Sequence, residues 1–164
     1  MFDVNIYIET SIKGLRTYKK AAGMYVLECI NGNRILGTKD GLIYAENITE
    51  YALTLELLHE AFSRMTKSSS VRVNTECGHV FGTINNHQLP KWKKNGWITA
   101  RGTPVKNKEI WIPLSEKMEM HLVSAEHWAN SYGNLMQEAI RKELQMYHAE
   151  PMERRRDILE IKES

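Results

Sequence analysis

The sequence predicts a mixed fold, α/β or α+β, in which helices pack on a sheet whose strands come early and then alternate with helices. Three observations carry that reading. Apolar alternations follow one another from residue 4 to residue 45, separated by short turns. The hydrophobic period then changes from two residues to between three and four. From there, strand-like and helix-like segments take turns toward the C-terminus.

The first element is VNIYIE (4–9): Val4, Ile6 and Ile8 point one way, Asn5 and Tyr7 the other, and Glu9 stands where the strand gives way to TSIKG. GMYVLECI (23–30) and RILGTKDGLIYA (34–45) follow, joined by the turn NGN (31–33), so an antiparallel meander is expected. In NITEYALTLELLHEAFSRM (47–65), Leu55, Leu58, Phe62 and Met65 recur at steps of three and four, which predicts an amphipathic helix. KSSS (67–70) breaks it, and VRVNTE (71–76) predicts a fourth strand that ends, like the first, on a glutamate. GHVFGTINNH (78–87) predicts a short helix or a turn of one. EIWIPLSEKM (109–118) is helical in part, with Pro113 opposing a smooth run. MEMHLVSA (118–125) predicts a fifth strand. NLMQEAIRKELQMY (134–147) predicts a helix with Met136, Ile140, Leu144 and Tyr147 on one face, and MERRRDILEIKES after Pro151 a last charged helical piece.

At 164 residues the chain has the length of one domain, with 42% hydrophobic and 26% charged residues, ordinary globular values. A net charge of +2 is too small to announce a nucleic-acid binder, so any basic surface must be local. Cys29 and Cys77 are far apart and lack CxxC spacing, which suggests reduced structural thiols. No apolar run approaches the roughly 20 residues of a membrane span, and no basic stretch precedes an apolar signal core. The expected location is the cytoplasm.

Chemistry-bearing residues concentrate in two places. Glu9, Glu50, Glu76 and Asn134 fall at strand ends or helix starts, which converge at one rim of such a sheet. Carboxylates brought together repel one another unless they share cations, and hard divalent ions with oxygen ligands are the usual solution. Solvated strand ends are the bland alternative for each acid. The second place is the stretch 91–108, which holds Lys91, Lys93, Lys94, Arg101, Lys106 and Lys108 without a single acid. Trp92 and Trp97 are interleaved with them. Clustered cations neutralise phosphates and tryptophans pack under a nucleic-acid strand; a solvated loop with tryptophans as core anchors is the alternative.

The order of these segments resembles type 1 ribonuclease H over most of the first 148 residues. Where that family's first strand ends in TDGS, this chain has IETS, and NITE places Asn47 and Glu50 at the family's helix entry. The fourth strand's STDS is NTEC here, which places Glu76. The most specific likeness is WKKNGWITARGTPVKNKEIW (92–111), similar to the basic handle of bacterial members. The resemblance implies a five-stranded mixed sheet with helices on both faces in a domain spanning 1–148. It also implies a handle at about 89–111 and a charged C-terminal extension over 149–164.

It further implies a divalent-metal-dependent endonuclease that cuts the RNA strand of RNA–DNA hybrids. Glu9, Glu50, Glu76 and Asn134 would be ligands for two Mg²⁺ or Mn²⁺ ions. Lys91, Trp92, Lys93, Lys94, Trp97, Arg101 and Lys106 would face nucleic acid, and Asn47 the RNA strand, where 2′-hydroxyls tell RNA from DNA. A helix N-cap is a compatible role for Asn47. This chain departs from the family at the metal site, where three Asp and one Glu become three Glu and Asn134. That set carries three negative charges in place of four, so the second ion should be held weakly. The late glycine-histidine loop and the NExxDxxA helix start are also missing. SAEHWANSYGNLMQEA (124–139) stands in their place, with His127 as a stand-in for the family's mobile histidine or simply a histidine without catalytic role. A catalytically weak or inactive module that binds hybrid or duplex is the second reading. Arg154, Arg155 and Arg156 read as a charged helix face or an extra phosphate or partner contact.

Overall fold

The computed structural model of the protein describes residues 2–146 and the backbone of Met152 and Glu153. The strands are β1 (Phe2–Thr10), β2 (Thr17–Asn31), β3 (Arg34–Thr49), β4 (Ser69–Asn74), β5 (Leu122–Glu126) and the two-residue β6 (Met152–Glu153). The helices are α1 (Glu50–Ser63), α2 (Gly78–Asn85), α3 (Gln88–Lys94), α4 (Lys108–Met118) and α5 (Gly133–Leu144). The sheet order is β5-β4-β1-β2-β3-β6. β1, β2 and β3 form the expected antiparallel meander, while β4 runs parallel to β1 and β5 parallel to β4.

β1 sits in the middle of this mixed sheet, so Val4 to Ile8 are buried on both faces. On one face Val4, Ile6 and Ile8 meet the buried sides of α1, α2 and α4, including Leu53, Leu57, Val80, Trp111 and Leu114. On the other, Tyr7, Ala22, Met24 and Val26 pack against Met136 and Ile140 of α5. Helices therefore cover both faces. Gly23 on β2 sets how closely α1 approaches, because a Cβ there would stand 2.6 Å from Leu57 Cδ1 and 3.2 Å from the Glu9 carbonyl oxygen.

Several boundaries differ from the sequence reading. Residues 47–49 continue β3, and Thr49, not Asn47, caps α1 by accepting the Ala52 amide at 3.2 Å. Asn47 instead adopts a positive φ of 54°, a conformation asparagine tolerates better than most residues. β4 stops at Asn74, so Glu76 stands two residues beyond the strand. Met118 closes α4 rather than opening β5. That helix also runs through Pro113, although proline cannot supply an amide there; its neighbours Trp111 and Leu114 are fully buried, and that burial offsets the lost bond. Met152 and Glu153 were expected in a helix and instead pair with Ala45 and Tyr44 on the sheet edge. Arg154, Arg155 and Arg156 lie outside the described residues. Both cysteines are free thiols, and burial pushes the Cys77 thiol up. Among the described residues no helix is long and apolar enough to cross a membrane.

Candidate active site

Three of the four predicted ligands line one small cavity. β1 delivers Glu9, the first turn of α1 delivers Glu50, and the loop after β4 delivers Glu76; Ile8, Thr10, Thr54 and Thr75 complete the wall. The space between them, about 10 Å³, has room for one water-sized body.

Each carboxylate has a partner within the protein. Glu9 accepts two amide hydrogen bonds, from Asn130 Nδ2 at 3.0 Å and Gln137 Nε2 at 2.9 Å. Glu50 Oε1 accepts the Gly14 backbone N–H at 3.2 Å. Glu76 pairs with Lys13 Nζ at 2.6 Å and approaches His127 Nε2 at 3.6 Å. Lys13 is held charged: its hydrogen bond to Glu76 raises its pKa first, and the charges of Glu76, Glu50 and Glu9 add to that.

The loop TSIKG explains how Lys13 arrives there. Ser11 exchanges two bonds with Ala22, its N–H donating to the carbonyl at 2.9 Å and its Oγ accepting the Ala22 N–H at 3.0 Å. Ile12 is buried, Gly14 turns at φ 86°, and Tyr18 donates its hydroxyl to the Lys13 carbonyl at 3.0 Å. The far side of the rim is pinned by Asn74, whose amide exchanges bonds with the backbone of Trp128 at 3.0 and 3.1 Å. That clamp sets His127 beside Glu76.

Asn134 lies exposed in the first turn of α5, and the α5-side contacts to Glu9 come from Asn130 and Gln137 instead. Sequence reasoning missed those two amides and Lys13. Asn130 and Gln137 had one signal, amide side chains seven residues apart across a helix start. Lys13 had none beyond its nearness to Glu9.

The donor set suits a hard divalent cation, since carboxylate and hydroxyl oxygens are its usual ligands. Among the described residues no three His, Cys, Asp or Glu side chains are arranged so that they could hold a metal ion. The fit is thus one of chemistry and placement, with protein partners occupying the oxygens.

The handle begins with α3 and continues through a loop closed by a bridge between Ile98 and Pro104. Its tryptophans are half-buried anchors: Trp92 packs against Trp97 and Trp111, with ring centroids 6.3 Å apart in both pairs. Trp111 in turn donates its indole N–H to the Tyr51 hydroxyl at 2.7 Å. Lys93 is paired with Glu119 at the end of α4, an acid the handle's own sequence did not show. Lys91, Lys94, Arg101 and Lys106 are exposed. Asn47 is also exposed, three residues before Glu50.

A mixed sheet in this order with helices on both faces, three carboxylates around one cavity and a separate basic handle define the class of fold. A sequence profile of the RNase H family matches residues 4–142, and the chain belongs to that family. Ribonuclease H from Clostridium botulinum is 36% identical over 90 residues, 52% of this chain and 60% of that relative. The chain thus spans about six tenths of that curated relative's length. Ribonuclease H from Caldicellulosiruptor saccharolyticus is 28% identical over 102 residues, 60% of this chain and 70% of that relative. Among solved structures, LC9-RNase H1, described as a type 1 RNase H with the type 2 active-site motif, superposes with a TM-score of 0.63 at 16% identity. That match covers 85% of this chain and 69% of the other. A foamy viral protease-reverse transcriptase in complex with dsDNA gives 0.67 at 13% identity, covering 88% of this chain and 95% of that one. At these identities the likeness is one of fold.

Proposed function

We propose that this chain is a divalent-metal-dependent endonuclease that cuts the RNA strand of RNA–DNA hybrids. The observation that carries the reading is the meeting of Glu9, Glu50 and Glu76 around one cavity in a chain of the RNase H family. Glu9, Glu50 and Glu76 would hold Mg²⁺ or Mn²⁺, with Asn134 as an outlying oxygen donor. Bound there, such an ion would supply an acidified water and positive charge at the departing 3′-oxygen. His127, whose Nε2 lies 3.6 Å from Glu76, would take the place of the family's mobile histidine. Lys91, Lys94, Arg101 and Lys106 hold phosphates, and exposed Asn47 meets the 2′-hydroxyls of the RNA strand. Trp92 and Trp97 fix the handle to the body.

The second reading, a weak or inactive binding module, is favoured by the protein partners already on every carboxylate. A labelled hybrid incubated with Mg²⁺ or Mn²⁺, with EDTA as control, separates the two. Metal-dependent cuts in the RNA strand are expected. Tight hybrid binding with no cutting under either ion would select the module.

A further inference from the structure

We propose that the apolar cavity between the handle and the start of β5 binds a small ring compound bearing a planar carboxamide, which pairs with the open edge of β5 at Val123. The cavity measures about 260 Å³ and is walled by Ile84, Leu89, Pro90, Met118, His121 and Val123, none of which belongs to the carboxylate rim. That volume is a little under the roughly 300 Å³ at which small-molecule pockets begin, so the ligand is on the scale of a single ring. The Lys93–Glu119 pair stands at its edge.

Two polar groups at that wall point to such a ligand. The first is the strand edge, since β5 is the last strand on its side of the sheet. The Glu126 carbonyl accepts the Thr75 N–H at 3.0 Å and so faces β4, and alternation turns Ser124 and Leu122 the same way. Ala125 and Val123 therefore present N–H and C=O to the open edge. Asn85 takes up the pair on Ala125: its Oδ1 accepts the N–H at 3.0 Å and its Nδ2 donates to the carbonyl. Among the described residues no side chain does the same at Val123, which lines the cavity.

His121 supplies the second group. It is 8% exposed, and its Nδ1 accepts the Ser69 N–H at 3.1 Å, so the proton of the neutral ring sits on Nε2. That buried donor has no partner among the described residues. Buried polar groups nearly always have one, which calls for an acceptor atom in the cavity. The Asn85 carboxamide shows on Ala125 what satisfies one residue of this edge, a planar acceptor and donor side by side. A ligand carboxamide repeats that pairing on Val123, lays its ring against Ile84, Leu89 and Met118, and offers a ring nitrogen to His121 Nε2.

Nicotinamide, a carboxamide on a ring with a nitrogen acceptor, is the probe, titrated into the ¹⁵N-labelled full chain and followed by NMR. The Val123 N–H and His121 Nε2 resonances should shift together and saturate with a Kd on the order of 1 mM, the range open to so small a ligand. N,N-Dimethylnicotinamide keeps the ring but cannot donate to the Val123 carbonyl, and should bind at least about tenfold more weakly. Leu89→Trp fills the cavity from a half-buried wall and should abolish the shifts while the remaining spectrum stays folded. If that variant does not fold, the dimethyl comparison decides alone. The absence of a saturable shift at Val123, equal binding of the two amides, or unchanged binding by folded Leu89→Trp each overturn the proposal. An alanine tripeptide that shifts Val123 where nicotinamide does not would assign the edge to an extended chain and overturn it too.

Discussion

Glu9 shows how a strand-end acid differs from a solvated one. Its two oxygens are held by Asn130 and Gln137 from more than 120 residues away. Asn130 cannot flip freely, because its Oδ1 accepts the Tyr132 N–H at 2.9 Å. Gln137 can flip only by giving up the 3.4 Å bond from its Nε2 to the Thr10 carbonyl. In Glu9→Gln the new carbonyl can accept from Asn130 while the new amide donates to a flipped Gln137, so stability should fall by no more than about 1 kcal/mol. The charge needed for a divalent ion is nonetheless gone. Hybrid cleavage should disappear, and the rise in melting temperature on adding Mn²⁺ should shrink relative to wild type. Identical Mn²⁺ shifts in both proteins, read by differential scanning fluorimetry, would return Glu9 to the role of an ordinary strand end.

At the scale of elements, α1 and α4 are joined by the buried Trp111–Tyr51 hydrogen bond, and the handle leans on that joint through Trp92. Tyr51→Phe leaves the indole N–H without its acceptor and should cost about 1–3 kcal/mol by urea denaturation. It should leave the salt dependence of hybrid binding unchanged. In the proposed reading that dependence comes from the exposed cations. Because Lys93 is engaged by Glu119, Lys94→Ala should flatten the log–log salt slope by about 0.9, the loss of one phosphate contact on B-form duplex, whereas Lys93→Ala should flatten it less. Equal slopes for both variants, measured by anisotropy, would show that the Glu119 pair does not hold Lys93 back. The meander was readable because β1–β3 carry apolar runs close together in one stretch of chain. The N-terminal part of β2 was not, since Thr17 to Lys20 are largely exposed and lack the apolar signal. The carboxylates were visible as strand-end acids, but Lys13–Glu76 and Glu9–Gln137 join segments that only the fold brings together. The handle's composition showed its charge and concealed Glu119, which lies in another element.

Across the whole molecule, ionisable groups buried between the sheet and its helices set the pH range in which the fold is secure. His121 is buried, and its Nδ1 accepts the Ser69 N–H at 3.1 Å, which only an imidazole unprotonated at that nitrogen can do. Burial lowers its pKa from the ordinary 6.5, so the unfolded chain takes up this proton more readily than the folded one. Its contribution is therefore present above about pH 6.5 and is lost as pH falls below that. The phenols act at the other end. Burial and the Glu46 carboxylate push Tyr44 from 10.0 up to about 12. Burial and then Glu28, which accepts the Tyr132 hydroxyl, raise Tyr132 as well. For these acids the folded pKa exceeds the unfolded one, so their stabilisation is complete below pH 10.0 and fades as pH climbs toward 12. Urea midpoints should thus form a plateau between about pH 7 and pH 10, falling on both sides. Tyr132→Phe should shallow the alkaline fall without moving the acid one. An alkaline limb that is the same with and without the Tyr132 hydroxyl would mean that its bond to Glu28 does not hold α5 to the sheet.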